Sequence, residues 1–375
     1  MKLAIGILSL LAIPACSSPD TDPVAQAVRQ YAKNLDQNYK DVIPKLETLE
    51  SAVTAFVANP TADGLAAAQQ AWLDARPAYS ESEYSRFYGG PIDQAQGGMN
   101  EWPIDEAFID YTVGNPMGGI INDPVGYPQL NTLVLVNSDE KGGIENLSTG
   151  FHAVEFLLWG QRPVQTMGPG QRPYTDYVDG GTAPNPDRRR TYLQVATQLL
   201  HDDMRSLESE WDSTNKSGYG STFLADQPKN SLTKIFRGFS QMAISELYYE
   251  RLDDPFASRD QKDEESCFSE STIGDLINNA LGVEDAYLGR YQTMQGPSVS
   301  ELVKAKSPAL DSQIRQQLSA IRAAIGAIPP PFDHAVLASA GSVENMAVQA
   351  ALQAFTPLQG LLDQVATALG IVNNL

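Results

Sequence analysis

Apolar residues recur at spacings of three and four along most of this chain, and no long segment alternates between apolar and polar residues. A helix turns once in about 3.6 residues, so this spacing places apolar side chains on one helix face, whereas a strand requires alternation. The first such face is formed by Val24, Val28, Tyr31, Leu35 and Tyr39. We expect a break at Pro44 and a kink at Pro77, which fall inside predicted helices. The spacing predicts an all-α fold built from helical bundles.

Changes in composition divide the chain into two helical parts. An N-terminal helical-bundle domain is predicted over residues 23–213 and a C-terminal one over residues 231–375, with a linker over 214–230. Glycine, proline, asparagine and aspartate dominate residues 88–143, and residues 160–186 are again rich in breakers. These segments predict long irregular loops. A loop of such length within a compact domain is either functional or a wrong assignment.

The N-terminus has the pattern of an export signal. Residues 1–15 combine one lysine with an apolar stretch that is shorter than the roughly 20 residues needed to cross a bilayer, so they predict a cleaved signal peptide. Ile13-Pro14-Ala15-Cys16 resembles the lipobox of bacterial lipoproteins. Lipid chains on Cys16 would anchor the protein, with residues 16–22 as a polar tether. Ser17 indicates the outer membrane, facing the periplasm, and the alternative is ordinary secretion.

Charge and cysteine content narrow the classes of partner. Lysine and arginine number 26 against 46 aspartates and glutamates, a formal net charge of −20. Such a surface repels nucleic acid and attracts cations weakly, so we expect no nucleic-acid partner. Cys267 is the only cysteine beyond Cys16, which excludes a disulfide within the mature chain. We expect Cys267 to be a small buried residue rather than a ligand.

The motif Gly150-x-His152-x-x-Glu155 contains the two residues best suited to hold a metal ion. On a helix, residues three apart leave the same face with Cβ atoms about 5–6 Å apart, a gap that one ion can bridge. The rest of the segment is apolar, and burying an imidazole and a carboxylate there is costly unless they are paired or coordinated. An imidazole with carboxylates suits iron or zinc. The alternative is a hydrogen-bonded buried pair without metal.

The helix predicted to begin near Thr61 carries a polar face that could supply further ligands. Its members are Arg76, Tyr79, Glu83 and Arg86. Glu83 is the strongest candidate, and Asp93 in the following Pro91-Ile92-Asp93 offers a second carboxylate. The alternative is that Arg76, Glu83 and Arg86 only pair with one another at the surface.

Five blocks of this sequence, in order along the chain, resemble the imelysin-like family, also called peptidase family M75. They are Trp72 to Phe87, Pro91-Ile92-Asp93, Gly150-x-His152-x-x-Glu155, Ser245-Glu246-Leu247-x-x-Glu250-Arg251 and Glu265-Ser266-Cys267-Phe268-Ser269. The resemblance implies two helical-bundle domains with a site between or beside them. It also implies export to the periplasm or outer membrane and a link to iron uptake. A more distant resemblance is to the periplasmic component of ferrous-iron uptake systems.

Matching these blocks assigns expected roles to individual residues. Metal-ligand roles fall on His152, Glu155, Glu83 and Asp93. Supporting roles around the ligands fall on Arg76, Arg86 and Glu246. The chain departs from the family pattern at Glu265, where relatives usually have histidine, and at Thr272-Ile273, which replaces threonine followed by histidine. If those histidines bind a ligand in relatives, the binding site to which they belong is altered or lost in this chain.

Three functions are compatible with the sequence. The first is a lipoprotein that binds iron, with zinc as an alternative ion, and passes it to an iron-transport membrane protein. The second is the zinc peptidase after which the family is named. The sequence lacks the His-Glu-x-x-His string of zincins, so His201 or His334 would have to complete the site, with Glu83 as base. We expect those two histidines to be solvated. The third is a surface lipoprotein without metal, against which the apolar setting of His152 and Glu155 argues.

Overall fold

The computed structural model describes residues 21–162 and 168–372. The predicted signal peptide and the lipidation site Cys16 lie outside these residues. Within the described ranges, helices account for nearly all regular structure, which confirms the all-α prediction. None of the helices in these ranges combines the length and apolar character that crossing a bilayer requires.

The first half of the chain contains two long antiparallel neighbours and several short helices. The helices are α1 (Pro23–Ala58), α2 (Ala62–Ser82), α3 (Pro91–Met99), α4 (Glu106–Ile109), α5 (Gly119–Asn122), α6 (Thr132–Ser138), α7 (Gly150–Trp159) and α8 (Pro186–Trp211), with 3₁₀ turns at Glu83–Ser85 and Tyr174–Tyr177. The predicted break at Pro44 is wrong, because α1 runs through it. Val42 and Leu46 on either side are buried, and their packing offsets the hydrogen bond that proline cannot make. Helix α2 likewise continues through Pro77.

Residues 88–143 are mostly irregular, as the composition predicts, but four short helices, α3 to α6, lie within them. These helices have only four to nine residues, which is too short for a readable apolar period. Polar side chains cap the N-termini of two of them: Asp105 accepts a hydrogen bond from the Ala107 amide and Asn131 from the Val134 amide, each at 3.0 Å. The polar residues that suggested a loop therefore act as helix caps.

The second half contains the remaining helices and one small hairpin. The helices are α9 (Tyr219–Ala225), α10 (Pro228–Gln241), a π-helical continuation (Met242–Asp253), α11 (Asp254–Ser258), α12 (Thr272–Leu288), α13 (Val299–Lys306), α14 (Pro308–Gly326), α15 (Phe332–Leu337), α16 (Val343–Ala354) and α17 (Leu358–Leu369). A 3₁₀ turn covers Gln261–Asp263, and strands Arg290–Tyr291 and Met294–Gln295 pair antiparallel. The predicted linker holds α9, whose buried Phe223 stacks on Tyr31 at 5.8 Å. The domain limits stay a prediction.

Helix packing places α7 near the centre of the molecule. Helix α1 packs on α2 and α8, α7 contacts both α2 and α8, and α12 packs on α2. The close approach of α12 to α2 requires Gly282, because a Cβ there would lie 2.1 Å from the Glu81 carbonyl oxygen. Buried apolar residues from Val28 to Ile371 form one cluster. The segment before α12 is thereby brought beside α7.

The interface of α2 and α12 predicts a dependence of stability on pH. Burial, and then the charge of Asp285, raise the pKa of Glu81 to about 8, against the opposing charge of Arg290. The folded chain keeps a proton that the unfolded chain releases above pH 4.5, so this stabilisation is complete below pH 4.5 and is lost as pH rises through 8. Because Glu81 is partly exposed, we expect the free energy of unfolding to fall by about 1–2 kcal/mol over this pH range, which is less than the full pKa shift would correspond to.

The measurement is urea unfolding between pH 5 and pH 9 for the wild type and Glu81→Gln. The stability of Glu81→Gln relative to the wild type should increase with pH. Glu47→Gln, at a side chain that is 53% exposed, serves as the control and should follow the wild type. Parallel pH profiles for the wild type and Glu81→Gln would contradict the prediction.

Candidate metal centre

Helix α7 begins at the glycine of the motif, and the backbone there admits only glycine. Gly150 has a φ of +86°, and a Cβ at this position would lie 2.7 Å from the carbonyl oxygen of Met99. Every residue of α7 is buried, and the helix ends at Gly160, which has a φ of +74°. The close contact with the end of α3 fixes where the helix starts. It thereby fixes the direction in which His152 points.

His152 and Glu155 contact each other, as their spacing predicts. Nδ1 of His152 lies 2.9 Å from Oε2 of Glu155. The other carboxylate oxygen, Oε1, accepts hydrogen bonds from the backbone amide of Ser269 at 2.8 Å and from its hydroxyl at 2.7 Å. His152 is 1% exposed and Glu155 is fully buried. Glu155 is therefore held on both oxygens, and it orients the imidazole ring.

The second ring nitrogen of His152 points away from Glu155. Nε2 is buried and has no hydrogen-bond partner within residues 21–162 and 168–372. His152 lines a cavity of about 10 Å³, the space of roughly one water molecule. The other walls include Trp102, Pro103, Glu106, Lys262, Glu264, Glu265, Cys267 and Phe268. The residue that carries this unpartnered nitrogen thus lines a small space with carboxylates in its wall.

Glu264 is the second buried group in this wall that lacks a partner. Its Oε1 makes no hydrogen bond to any residue that the structure describes, and the residue is 2% exposed. Burial raises the pKa of Glu264 to about 8, although the charge of Arg162 and the nearby hydroxyl of Thr272 oppose the shift. Nη1 of Arg162 lies 3.9 Å from the other oxygen, Oε2, which is too long for a hydrogen bond. No sequence pattern singled out Glu264.

Glu83 is buried in an ionic network rather than beside His152. Arg251 donates to both of its oxygens, at 3.0 and 2.9 Å, and Asn279 donates to Oε2 at 2.9 Å. Burial opposes ionisation of Glu83, but the charge of Arg251 and its hydrogen bonds lower the pKa to about 2. The carboxylate is therefore ionised at neutral pH, and it is already bound to a cation.

The same network contains the three residues predicted to support the ligands. Nη2 of Arg76 donates to Glu265 at 3.0 Å, and Nη1 of Arg86 contacts Glu83 and Glu246 at 3.3 and 3.1 Å. The alternative of a surface cluster is wrong for Arg76 and Glu83, which are 2% and 0% exposed. Their strongest partners come from distant parts of the chain.

Glu265, the departure from the family pattern, takes part in this network. It accepts from Arg76 and, on its other oxygen, from Arg251 at 2.8 Å. Burial, with the nearby charge of Glu83, raises its pKa. Thr272 is the first residue of α12, and the next residue, Ile273, is partly buried and packs against the hydrophobic core. A carboxylate at 265 thus neutralises two buried arginines, a role that a histidine would not fill in the same way.

Asp93 caps the helix in which it lies. Its carboxylate accepts hydrogen bonds from four backbone amides, those of Phe87, Tyr88, Gly89 and Gly90, at 2.5–3.1 Å. Anionic side chains are favoured there by the helix N-terminus. In the described part of the chain, the four predicted ligands do not form a group with donor atoms within 4.8 Å of one another. The structure brings only His152 and Glu155 together.

A larger acidic cleft lies on the other side of Trp102 and Pro103. It has a volume of about 550 Å³ and shares these two residues with the His152 cavity. Its carboxylates are Glu101, Glu246, Glu250, Asp254 and Asp263. Arg86 is the cation in this lining. The cleft therefore carries a negative field directly beside the wall of the His152 cavity.

The two other histidines lie elsewhere. His201 is 5% exposed, so the expected solvated position is wrong, and its Nδ1 lies 2.7 Å from Glu50. This pair joins α8 to α1 and does not line the His152 cavity. His334 lies on α15 and is half-buried. Cys267 is half-buried in the cavity wall, and burial raises the pKa of its thiol.

One further acidic group has the spacing of a cation site. In the described part of the chain, Asp36, Glu208 and Asp212 are the three acidic residues whose oxygens lie within 4.8 Å of one another. The ammonium of Lys40 already lies among them, at 2.7, 3.9 and 3.2 Å from the three carboxylates. This partly exposed group is therefore a salt-bridge cluster between α1 and α8.

The fold and the candidate site define a helical protein with a buried histidine and carboxylate pair next to an acidic cleft. The Imelysin (peptidase M75) family model matches residues 36–362, and the chain belongs to this family. Iron-regulated protein A of Synechococcus elongatus is 25% identical over 329 residues, which cover 84% of this chain and 79% of that protein.

Two solved structures share the fold. A Parabacteroides distasonis protein, named an iron-regulated protein A precursor, superposes with a TM-score of 0.74 and 21% identity, covering 95% of this chain and 97% of that one. An imelysin-like protein from Psychrobacter arcticum gives a TM-score of 0.63 and 14% identity, covering 92% of this chain and 97% of that one. The family resemblance drawn from the five sequence blocks is confirmed.

Proposed function

We propose that this protein is a lipid-anchored protein of the cell envelope that binds a metal ion at His152, with iron favoured over zinc, and acts in iron uptake or handling. The observation that carries the proposal is Nε2 of His152. The Nε2 atoms of all three histidines are buried without a partner among the described residues, and His152 is the histidine of the three that lines the cavity with carboxylates in its wall.

The hydrogen bonds behind His152 match those behind metal-binding histidines. Such histidines almost always give their other ring nitrogen to a carboxylate or carbonyl, which fixes the ring and raises its basicity. Glu155 fills this role at Nδ1, and Ser269 holds Glu155 in turn. In this arrangement Glu155 orients the ring. Binding by Glu83 or Asp93 would require each to give up the hydrogen bonds that now occupy it.

The acidic cleft supports a cation as the ligand. Its carboxylates, together with the net charge of −20, raise the local concentration of cations next to Trp102 and Pro103. An imidazole with carboxylates suits iron or zinc better than calcium or magnesium. Iron is favoured because the Synechococcus elongatus relative is named an iron-regulated protein. The ion is cargo in this proposal, and an iron-transport membrane protein is its proposed recipient.

The position of the protein in the cell is part of the same proposal. Cys16 would carry the lipid anchor at the outer membrane, with the helical body facing the periplasm. Helix α1 begins at Pro23, seven residues after Cys16, so the tether would be short. This arrangement would keep the metal site near the membrane that iron crosses.

A zinc peptidase is the second candidate, because the family is also named peptidase M75. A catalytic zinc needs an open coordination position within reach of the peptide bond. His152 is 1% exposed, and its cavity holds about one water molecule. A peptide could reach the ring only after residues of the cavity wall moved. The geometry therefore favours binding of a small ion.

The first test is metal binding by the full chain, purified in detergent, compared with His152→Ala. We expect calorimetry under anaerobic conditions to show one tight site for Fe²⁺, and we expect His152→Ala to weaken binding at least 100-fold with little change in helicity. Zn²⁺ and Fe³⁺ are measured in parallel to establish the preferred ion.

The control is His201→Ala, which removes another buried histidine that contacts a carboxylate but lies outside the His152 cavity. It should leave the affinity within about twofold of the wild type. Equal affinity in His152→Ala and the wild type would overturn the assignment. Cleavage of peptides that depends on added zinc and on His152 would favour the peptidase instead.

A further inference from the structure

We propose that Glu264 supplies the second ligand of the ion, opposite His152. This inference deepens the proposed function and rests on it. The two residues line the same cavity, and each has one buried polar atom without a partner in the described ranges, Nε2 of His152 and Oε1 of Glu264. Both side chains are more than nine-tenths buried, at 1% and 2% exposure.

Two buried unpartnered atoms around one small space indicate a shared ligand. Leaving one buried polar atom unpaired costs about 1–3 kcal/mol, so two such atoms at one cavity are unfavourable unless something binds both. A cavity of about 10 Å³ admits a single water-sized group. With the ring neutral and its proton on Nδ1, Nε2 and Oε1 are both acceptors, which either a cation or a water molecule donating two hydrogen bonds would satisfy. The metal site proposed at His152 selects the cation.

The charges around Glu264 also favour a cation as the ligand. Arg162 is the guanidinium on this side, and it faces three carboxylates: those of Glu270, Asp333 and Glu264. Arg162 lies 2.6 and 2.5 Å from the first two but 3.9 Å from Glu264. Glu264 thus has the weakest pairing of the three, and a cation in the cavity would supply the counter-charge that lets its carboxylate ionise.

The other carboxylates of the cavity wall have no buried oxygen that lacks a partner in the described ranges. Glu265 accepts from Arg76 and Arg251, and Glu106 has only a long contact of 3.8 Å with the ammonium of Lys262. Glu264 is therefore the wall carboxylate that an entering ion would reach with least rearrangement. It comes from the segment before α12, whereas His152 lies on α7, so the ion would connect two parts of the fold distant in sequence.

The test compares binding of Co²⁺ and Fe²⁺ by the full chain with that of Glu264→Gln. Cobalt reports its ligands through visible absorption, so it gives a readout besides affinity. We expect Glu264→Gln to weaken binding at least tenfold and to change the cobalt spectrum. The matched control is Asp263→Asn, which makes the same change of charge one residue earlier, in the lining of the acidic cleft. It should stay within about twofold of the wild type.

The outcomes distinguish failure of the role of Glu264 from failure of the proposed function. If His152→Ala abolishes binding but Glu264→Gln matches Asp263→Asn, the role of Glu264 is overturned and the metal site at His152 stands. If the full chain binds neither ion, both fail together. Should Glu264→Gln unfold, Glu264→Asp keeps the carboxylate on a shorter side chain. A weaker affinity with a shifted cobalt spectrum then supports the inference, and an unchanged affinity and spectrum overturn it.

Discussion

Replacing Arg251 with methionine is expected to lower the free energy of unfolding by about 3–5 kcal/mol, because it leaves buried carboxylates without their main counter-charge. Arg251 is fully buried and contacts Glu83, Glu246 and Glu265. Its guanidinium also lies 4.7 Å from the ring of Trp102. Removal therefore disturbs the network that joins α2 to the segment before α12, and it loosens a wall of the His152 cavity.

The loss of stability should depend on pH in a defined direction. Without Arg251, burial would raise the folded pKa of Glu83 and Glu265 above their unfolded values. That stabilisation is complete below the unfolded pKa and is lost as pH rises, so the deficit relative to the wild type should be larger at pH 8 than at pH 5. Adding Glu83→Gln to the variant should recover part of the deficit, since it removes one stranded charge.

Arg205→Met is the control for the change of side chain. Arg205 is 60% exposed and lies 4.0 Å from Glu47, and we expect a change of at most about 0.5 kcal/mol, as for other exposed pairs. Urea unfolding followed by circular dichroism measures all variants. A deficit in Arg251→Met no larger than that of Arg205→Met would show that the network contributes little to folding.

The general fold was predictable because it depends on local spacing. The face from Val24 to Tyr39 specified α1 correctly, since apolar periodicity over several turns is a strong signal. The short helices α3 to α6 were not predictable from periodicity. The prediction of a break at Pro44 failed because helix propensity is a weak guide where the helix is buried on both sides of the residue.

The site was predictable only where its residues are close in sequence. His152 and Glu155 are three residues apart, and their contact follows from helix geometry. The capping role of Asp93 also had a local signal, because proline at the first helical position followed by an acid at the third is typical of a helix N-terminus. The same carboxylate also suited a metal ligand, and the sequence prediction assigned it that role instead.

The partners of Glu83 and Glu155 had no such signal. Glu83 is paired with Arg251, and Glu155 with Ser269, across large separations in sequence. Both partners belong to blocks that matched the family, but spacing along the chain does not indicate which block meets which. Trp102 and Glu264 lie outside those blocks. Only the packing of α12 on α2 brings these segments together.

Replacing Gly150 with alanine is expected to destabilise the protein by about 3 kcal/mol, from about 1–2 kcal/mol for the left-handed backbone and a similar cost of overpacking. The added Cβ would lie 2.7 Å from the carbonyl oxygen of Met99, and a backbone atom cannot rotate away as a side chain can. The start of α7 must therefore shift. His152 is two residues further along, so metal affinity should fall together with stability.

Gly97→Ala is the matched control. Gly97 lies in α3, and a Cβ there meets no atom within 4 Å, so alanine should be neutral or stabilising by about 0.5–1 kcal/mol. Urea unfolding and Fe²⁺ calorimetry are measured on both variants. If Gly150→Ala keeps the stability of Gly97→Ala, the contact with Met99 does not fix the helix start. If it loses stability but binds Fe²⁺ like the wild type, the glycine of the motif serves folding alone, because the position of His152 would then tolerate the shift.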